Sequence, residues 1–206
     1  MSDKLIYGLG INEKDCVSHI KRKAVKEYEL WARMLERCTK EFWVKSPTYT
    51  GTTCSDNFKS YTFFYEWCQK QVGFGNKDDN GRYWQLDKDL LGGDIKMYSE
   101  DTCVFVPARL NSLLIRRKVN TSKYATGVIK KSKDKTFTAL YNDNEGTQVS
   151  VGGFLSEQDA FNYYKKCKEA VIKSSAERYK ELVDDRVYNK LMNYEVTNNK
   201  PTGEHK

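Results

Sequence analysis

Residues 126–179 place the strongest constraint on what this chain can fold into. Hydrophobic and β-branched residues predict three short strands, at about 126–130, 136–141 and 148–154. The connections between them, Ser-Lys-Asp-Lys and Asp-Asn-Glu-Gly, have the composition of hairpin turns. A long amphipathic helix follows, and Ser156 is placed to cap its first turn together with Asp159. We therefore predict a three-stranded antiparallel sheet packed on one helix.

Alternation along the second and third of these strands separates an apolar face from a polar one. Phe137, Ala139 and Tyr141 share the side expected to pack on the helix. The residues expected to face outward, with the lysines near the first turn, are Thr138, Leu140, Gln148, Ser150, Lys130, Lys131, Lys133 and Lys135. A polar face edged by lysines suits a DNA groove, and it is equally typical of a solvated antiparallel sheet.

The charge of the chain is unevenly distributed. The net charge is +7, and residues 116–206 carry 18 Lys and Arg against 12 Asp and Glu, whereas residues 61–115 carry 6 against 8. A basic C-terminal part suits a polyanionic partner, because neutralised phosphates release counterions. The alternative is an ordinary charged surface. Charged residues make up 31% of the chain, but the 39% of hydrophobic residues is too high for a disordered one.

Cysteine spacing and the N-terminal sequence bear on metal binding and location. Six cysteines are present without a Cys-x-x-Cys pair, and the chain has two histidines, so we expect no structural zinc site. The first residues, MSDKLIYGLG, do not resemble a signal peptide, and no apolar run approaches membrane length. The chain is predicted to be cytoplasmic, with reduced thiols and no membrane partner.

The N-terminal part is predicted to be helical. Apolar residues recur at helical spacing through residues 24–45, which predicts one helix ended by Pro47. A second helix is predicted over residues 57–72. Trp31 and Trp67, on these two helices, are expected in the core and not as platforms for base stacking.

The middle of the chain combines a predicted hairpin with a helix. Residues 83–91 favour a strand, a Gly-Gly-Asp turn follows at 92–94, and residues 95–98 are expected to return beside the first strand. A helix is then predicted to begin at Pro107. This arrangement can bring a strand aspartate, Asp87, towards a helix asparagine, Asn111. Their oxygens suit a hard divalent cation such as Mg²⁺ or Mn²⁺, which stabilises charge on a scissile phosphate.

The C-terminal segments TGVIKKSKDKTFTAL and VSVGGFLSEQDAFNYYKKCKEA resemble the apetala-two/ethylene-response-factor DNA-binding domain, which phage homing endonucleases carry. The resemblance rests on Gly127-Val128, on Phe137-x-Ala139 and on the stretch 152–154 before the capped helix. It implies DNA binding by the outward sheet residues. In that family these are largely arginine and tryptophan, and the matching positions here are Ile129, Lys131, Thr138, Leu140, Gln148 and Ser150. Bidentate guanine contacts need arginine, so we expect phosphate contacts more than base reading.

The middle segment, WQLDKDLLGGDIKMYSEDTCVFVPARLNSLL, resembles the HNH (ββα-metal) nucleases, particularly the recombination endonuclease seven branch and related phage proteins. The resemblance implies that Asp87 and Asn111 hold the metal and that Asp89 assists or orients. Lys88 stands where those nucleases have the histidine that activates water. Because a lysine stays protonated near neutral pH, it is a poor general base, and Lys88 is expected to contact phosphate or to act as a weakened catalytic residue.

Together these features predict an α+β chain with two functional parts. Residues 1–115 form a helical part with an HNH-like module, whose ββα-metal-like core covers about 83–115. Residues 116–123 form a linker, 124–195 the DNA-binding domain and 196–206 a flexible tail. Three functions remain open: a metal-dependent phage endonuclease on duplex or branched DNA in the host cytoplasm, an inactive DNA-binding regulator or anti-defence protein, and a basic protein–protein interaction module. The aromatic spacing contains no coiled-coil seam, so no oligomeric state is predicted.

Overall fold

The computed structural model describes residues 5–114, 123–130, 133 and 135–198. The chain divides into two compact units. The first comprises Met1–Ser112 with Leu182–Val187, and the second comprises Leu113–Glu181 with Tyr188–Lys206. The division predicted from sequence did not assign residues 182–187 to the first part. Within the described ranges, no helix is both long enough and apolar enough to cross a membrane.

Five α-helices are described within residues 5–114: α1 (Lys26–Arg37), α2 (Lys40–Lys45), α3 (Tyr61–Lys70), α4 (Asp89–Gly92) and α5 (Ala108–Leu114). Two short 3-10 helices, Pro47–Tyr49 and Asn57–Lys59, lie between α2 and α3. The single helix predicted over 24–45 is wrong, because it breaks between α1 and α2. There the Thr39 hydroxyl accepts the Phe42 amide at 3.3 Å and caps α2. A threonine side chain that bonds to nearby backbone competes with helix continuation, and periodicity alone does not reveal this.

An aromatic core organises the first unit. Trp31, Phe58, Tyr61 and Phe64 are fully buried, and Trp67 is 8% exposed. The indole of Trp31 donates to the Phe58 carbonyl at 2.8 Å, which satisfies its one polar group inside the core. The predicted core positions of Trp31 and Trp67 are therefore confirmed.

The strands described in this part are short: β1 (His19–Ile20), β2 (Lys23–Ala24), β3 (Thr53–Cys54), β4 (Gln85–Asp87), β5 (Met97–Tyr98) and β6 (Val104–Val106). The predicted pairing of residues 83–91 with 95–98 is wrong. β4 pairs antiparallel with β6, and β5 pairs parallel with β3. Residues 89–92 form α4, so β4 ends at Asp87. The fully apolar β6, whose residues are buried, pairs with β4 instead of residues 95–98. The order strand, strand, helix is nevertheless present as β4, β6 and α5.

The second unit contains a three-stranded antiparallel sheet covered by one helix, as predicted. The elements are β7 (Val128–Ile129), β8 (Phe137–Asn142), β9 (Gln148–Phe154) and α6 (Glu157–Tyr179). β8 lies in the centre, with Ala139 opposite both Val128 and Val151. The predicted cap is also confirmed, because Ser156 Oγ accepts the Asp159 amide at 3.1 Å. A further helix, α7 (Asp185–Met192), follows α6.

The core of the second unit extends to the C-terminal side of α7. Ala125, Val128, Ala160, Phe161 and Val196 form one buried cluster. The Val196 amide donates to Glu169 Oε1 at 2.9 Å, and its carbonyl accepts from Lys165 Nζ at 3.1 Å. The prediction of a flexible tail starting at residue 196 is therefore wrong for Val196. Residues 199–206 lie outside the described part of the chain.

Candidate functional site

The sheet face turned away from α6 brings together most of the predicted DNA-binding positions. The register pairs Ile129 with Thr138, and Leu140 with Ser150. Gln148 lies opposite Asn142 at the end of β8. Since Ala139 is buried against the helix side, its neighbours in β8 alternate to the other side. We call this set the outer sheet face: Ile129, Thr138, Leu140, Gln148 and Ser150.

The outer sheet face is chemically mixed. Gln148 and Ser150 are exposed, whereas Thr138 and Leu140 are half-buried. An amide and two hydroxyls provide hydrogen-bonding groups, and Ile129 and Leu140 provide apolar surface. Arginine is absent from the set. The face can therefore donate hydrogen bonds to phosphate oxygens, but it lacks the planar guanidinium group with which arginine makes bidentate hydrogen bonds to guanine.

The lysines of the first turn lie in different environments. Lys133 and Lys135 are exposed. Lys130 is half-buried, and its Nζ lies 4.4 Å from the centre of the Phe137 ring, so part of its charge is balanced by an aromatic face. Lys131 lies outside the described residues. Among the described lysines of this turn, Lys133 and Lys135 are thus the two whose ammonium groups are open to a phosphate.

Asp87, the first predicted metal ligand, ends β4 and has a structural role. Its Oδ1 accepts the Leu90 amide at 2.7 Å, which holds the first turn of α4. The residue is 7% exposed. Burial raises the pKa of the Asp87 carboxyl, even though the bond from Leu90 acts in the opposite direction.

Lys88, the residue in the position of the catalytic histidine, is buried with 5% exposure. It donates to the carboxylate of Asp89. Its Nζ also lies 5.4 Å from the ring centre of Tyr98 and 5.8 Å from that of Tyr49. A carboxylate and two aromatic faces therefore surround the ammonium group. This environment suits a structural cation better than a proton acceptor.

The surroundings of Lys88 include residues that the sequence did not indicate. Arg37 donates to the Tyr98 hydroxyl at 3.3 Å, and its guanidinium lies 5.5 Å from the ring centre of Tyr49. The cationic groups of Lys88 and Arg37 therefore both lie close to Tyr49 and Tyr98. Tyr49 and Arg37 are remote from Lys88 along the chain, so no local pattern could have associated them.

Asn111, the second predicted metal ligand, lies on α5 beside β4. Its Nδ2 donates to Gln85 Oε1 at 3.2 Å. Gln85 and Asp87 are two residues apart in the strand and share one face of it, so Asn111 meets the face that carries Asp87. Asp87 and Asn111 retain oxygen atoms of the type that Mg²⁺ prefers, which fits a hard cation. Among the residues described, no three His, Cys, Asp or Glu side chains cluster as a metal site.

A pair of thiols near these residues was also not predicted. Cys38 follows Arg37 at the end of α1, and Cys54 lies opposite Tyr98 in the β3–β5 pair. The hydrogen bond between the two thiols raises the pKa of Cys38, and burial adds to the increase. The same bond lowers the pKa of Cys54, against the effect of burial. Neither cysteine is in a disulfide.

Comparison with protein-family models, with curated proteins and with solved structures finds no match for this chain. A functional assignment therefore depends on the residues described above and on their surroundings.

Proposed function

We propose that this chain is a phage-type protein that binds duplex DNA through the outer sheet face. The observation that carries the proposal is the placement of Thr138, Gln148 and Ser150 on one sheet face, where Gln148 and Ser150 are exposed. Hydroxyl and amide groups are common donors to phosphate and sugar oxygens. Lys133 and Lys135, exposed at the adjacent turn, add the positive charge that releases counterions from DNA.

The proposed binding has little dependence on sequence. Since the outer sheet face lacks arginine, bidentate contacts to guanine are not available to it. Phosphate contacts fix orientation and register on a duplex without reading its bases. The sheet would therefore position the protein on DNA, and affinity should fall steeply with salt.

Fluorescence anisotropy with short duplexes of several sequences tests this proposal. The variant Lys133→Gln/Lys135→Gln is compared with the control Lys40→Gln/Lys70→Gln, which makes the same charge change in the first unit. All four of these lysines are exposed. If both turn lysines contact phosphates, the sheet variant lowers the slope of log affinity against log salt by about 1.8. Equal effects of the two variants would contradict the assignment to the sheet. No binding to any duplex would reject DNA binding and favour the protein–protein module.

A second candidate function is metal-dependent phosphodiester hydrolysis. It is favoured by the order β4, β6, α5 and by Asn111 meeting the face of β4 that carries Asp87. Asp87 and Asn111 would hold Mg²⁺ or Mn²⁺, which supplies charge stabilisation at a scissile phosphate. Buried Lys88 argues against efficient proton abstraction from water, because a general base must reach its substrate.

Cleavage of duplex and branched DNA in Mg²⁺ and Mn²⁺ separates the two candidates. The informative variant is Asp87→Asn, which keeps an oxygen able to accept the Leu90 amide but removes the carboxylate charge. Nicking by the wild type that is lost in this variant, without loss of stability, would establish a nuclease. DNA binding without nicking in either protein would leave a regulator or anti-defence protein on a nuclease-like scaffold.

A further inference from the structure

Helix α6 carries a second basic surface, on the side turned away from the sheet. An open groove of about 480 Å³ lies along it, and we call it the α6 groove. Its lining residues are Asn162, Lys165, Lys166, Glu169, Ala170 and Lys173. Residues on the other side of the helix, such as Phe161 and Ile172, are buried. The α6 groove and the outer sheet face therefore lie on opposite sides of the second unit.

The charge available in the α6 groove comes from two of its three lysines. Lys165 pairs with Glu169 at 3.2 Å, and both also bond to the backbone of Val196. Lys166 and Lys173 are exposed, and neither has a hydrogen-bond or ion-pair partner among the described residues. The ammonium groups of Lys166 and Lys173 are therefore available to bind an anion.

The two acidic residues one turn from Lys166 or Lys173 along α6, Glu169 and Glu177, each accept a hydrogen bond from another part of the second unit. Glu177, one turn beyond Lys173, accepts the Tyr188 hydroxyl at 2.7 Å. At the other end, Asn162 accepts from Gln158 at 2.8 Å through Oδ1, so its amide hydrogens are the groups left for a ligand. Ala170, between the two lysines, is small and leaves space for a chain of phosphates.

The spacing of Lys166 and Lys173 suits a nucleic-acid backbone. Seven residues at about 1.5 Å rise correspond to about 10.5 Å along the helix axis. Phosphates of one strand of duplex DNA recur every 3.4 Å or so along its axis, so the two lysines span about three phosphate steps.

We propose that the α6 groove binds the phosphate backbone of a second DNA duplex, so that one molecule bridges two duplexes through opposite faces of its second unit. This inference rests on the proposed DNA binding by the outer sheet face. An acidic protein would satisfy the same two lysines without the phosphate spacing. The experiment must therefore separate loss of first-duplex binding, loss of bridging and binding of an acidic protein.

A two-duplex capture assay with the full chain tests the inference. One biotinylated duplex is immobilised, the protein is bound, and retention of a second, fluorescent duplex is measured across a salt series. Lys166→Gln/Lys173→Gln should still bind the first duplex through the outer sheet face but lose most capture of the second. The salt slope of the capture step should fall by about 1.8. Lys40→Gln/Lys70→Gln, with equal charge change, should capture normally.

The outcomes that overturn the inference are distinct from those that reject the proposed function. No binding of the first duplex rejects DNA binding by the sheet. First-duplex binding without capture by the wild type rejects bridging, as does equal capture by wild type and the Lys166/Lys173 variant. Polyglutamate that binds at the groove while the second duplex does not would assign the surface to an acidic protein. Melting temperature and sedimentation confirm that each variant keeps its fold and its mass.

Discussion

The ammonium group of Lys88 donates a hydrogen bond to the carboxylate of its neighbour Asp89. The Lys88 side chain is buried, with 6% exposure, whereas that of Asp89 is 64% exposed. The buried member of the pair carries the charge that is costly to desolvate, and the exposed member is the counterion. The two residues should therefore respond differently to neutralisation.

We expect Asp89→Asn to destabilise the first unit more than Lys88→Met does. Asp89→Asn leaves a buried ammonium group without its counterion, which should cost about 1–3 kcal/mol. Lys88→Met removes the buried charge and leaves an aspartate that water can solvate, at a cost of about 1 kcal/mol or less. Urea denaturation of both variants measures the difference. The reverse order of stabilities would show that the pair is not a structural one.

Asp87 should make stability decrease as the pH rises. Burial raises its pKa, so the folded state holds this proton more tightly than the unfolded chain does. The free energy of unfolding then falls as the pH rises from the usual carboxyl range, about 4, through the raised value. Asp87→Asn keeps an oxygen that accepts the Leu90 amide but has no group that titrates. The difference in free energy of unfolding between this variant and the wild type should therefore grow, in favour of the variant, as the pH rises. Denaturation curves at several pH values that stay parallel for the two proteins would contradict this expectation.

Gly127 should tolerate no side chain, because its backbone has φ +74° and an added Cβ would lie 2.2 Å from the Tyr164 ring. Gly127→Ala combines left-handed strain with overpacking and should cost about 2–4 kcal/mol. Gly146, with φ +86° and no atom within 4 Å of an added Cβ, is the matched control. Gly146→Ala should cost about 1–2 kcal/mol from backbone strain alone. Similar melting temperatures of the two variants would rule out the close approach to Tyr164.

Cys54 should be alkylated before Cys38 and Cys103. The bond from Cys38 lowers the pKa of Cys54, whereas burial raises the pKa of Cys103 to about 12. The thiolate is the reactive form, so the order of reaction follows the order of pKa at mildly alkaline pH. Time-resolved alkylation with peptide mass mapping measures it. Cys38→Ala removes the donor and should slow reaction at Cys54, and an unchanged rate would contradict a role of the thiol pair.

Much of the second unit was predictable because its elements are local. Alternation in β8 and β9, the hairpin turns and the Ser156 cap each depend on residues a few positions apart, and they indicated the sheet, its two faces and the covering helix. The end of the core was not predictable. Val196 is buried in an apolar cluster with Ala125 and Phe161, and Lys165 and Glu169 bond to its backbone. The sequence around Val196 does not indicate these long-range partners.

The first unit depended more on tertiary structure. By itself, the sequence determined that helices lie near α1, α3 and α5, and it determined the aromatic core positions and the unusual Asp87-Lys88-Asp89 segment. Tertiary structure decided that β6, and not residues 95–98, pairs with β4, because β6 is fully apolar and all three of its residues are buried there. It also decided that Lys88 is buried beside Tyr49 and Tyr98. A carboxylate and two aromatic faces must converge to hold a buried cation, and only the folded chain brings together groups so distant in sequence.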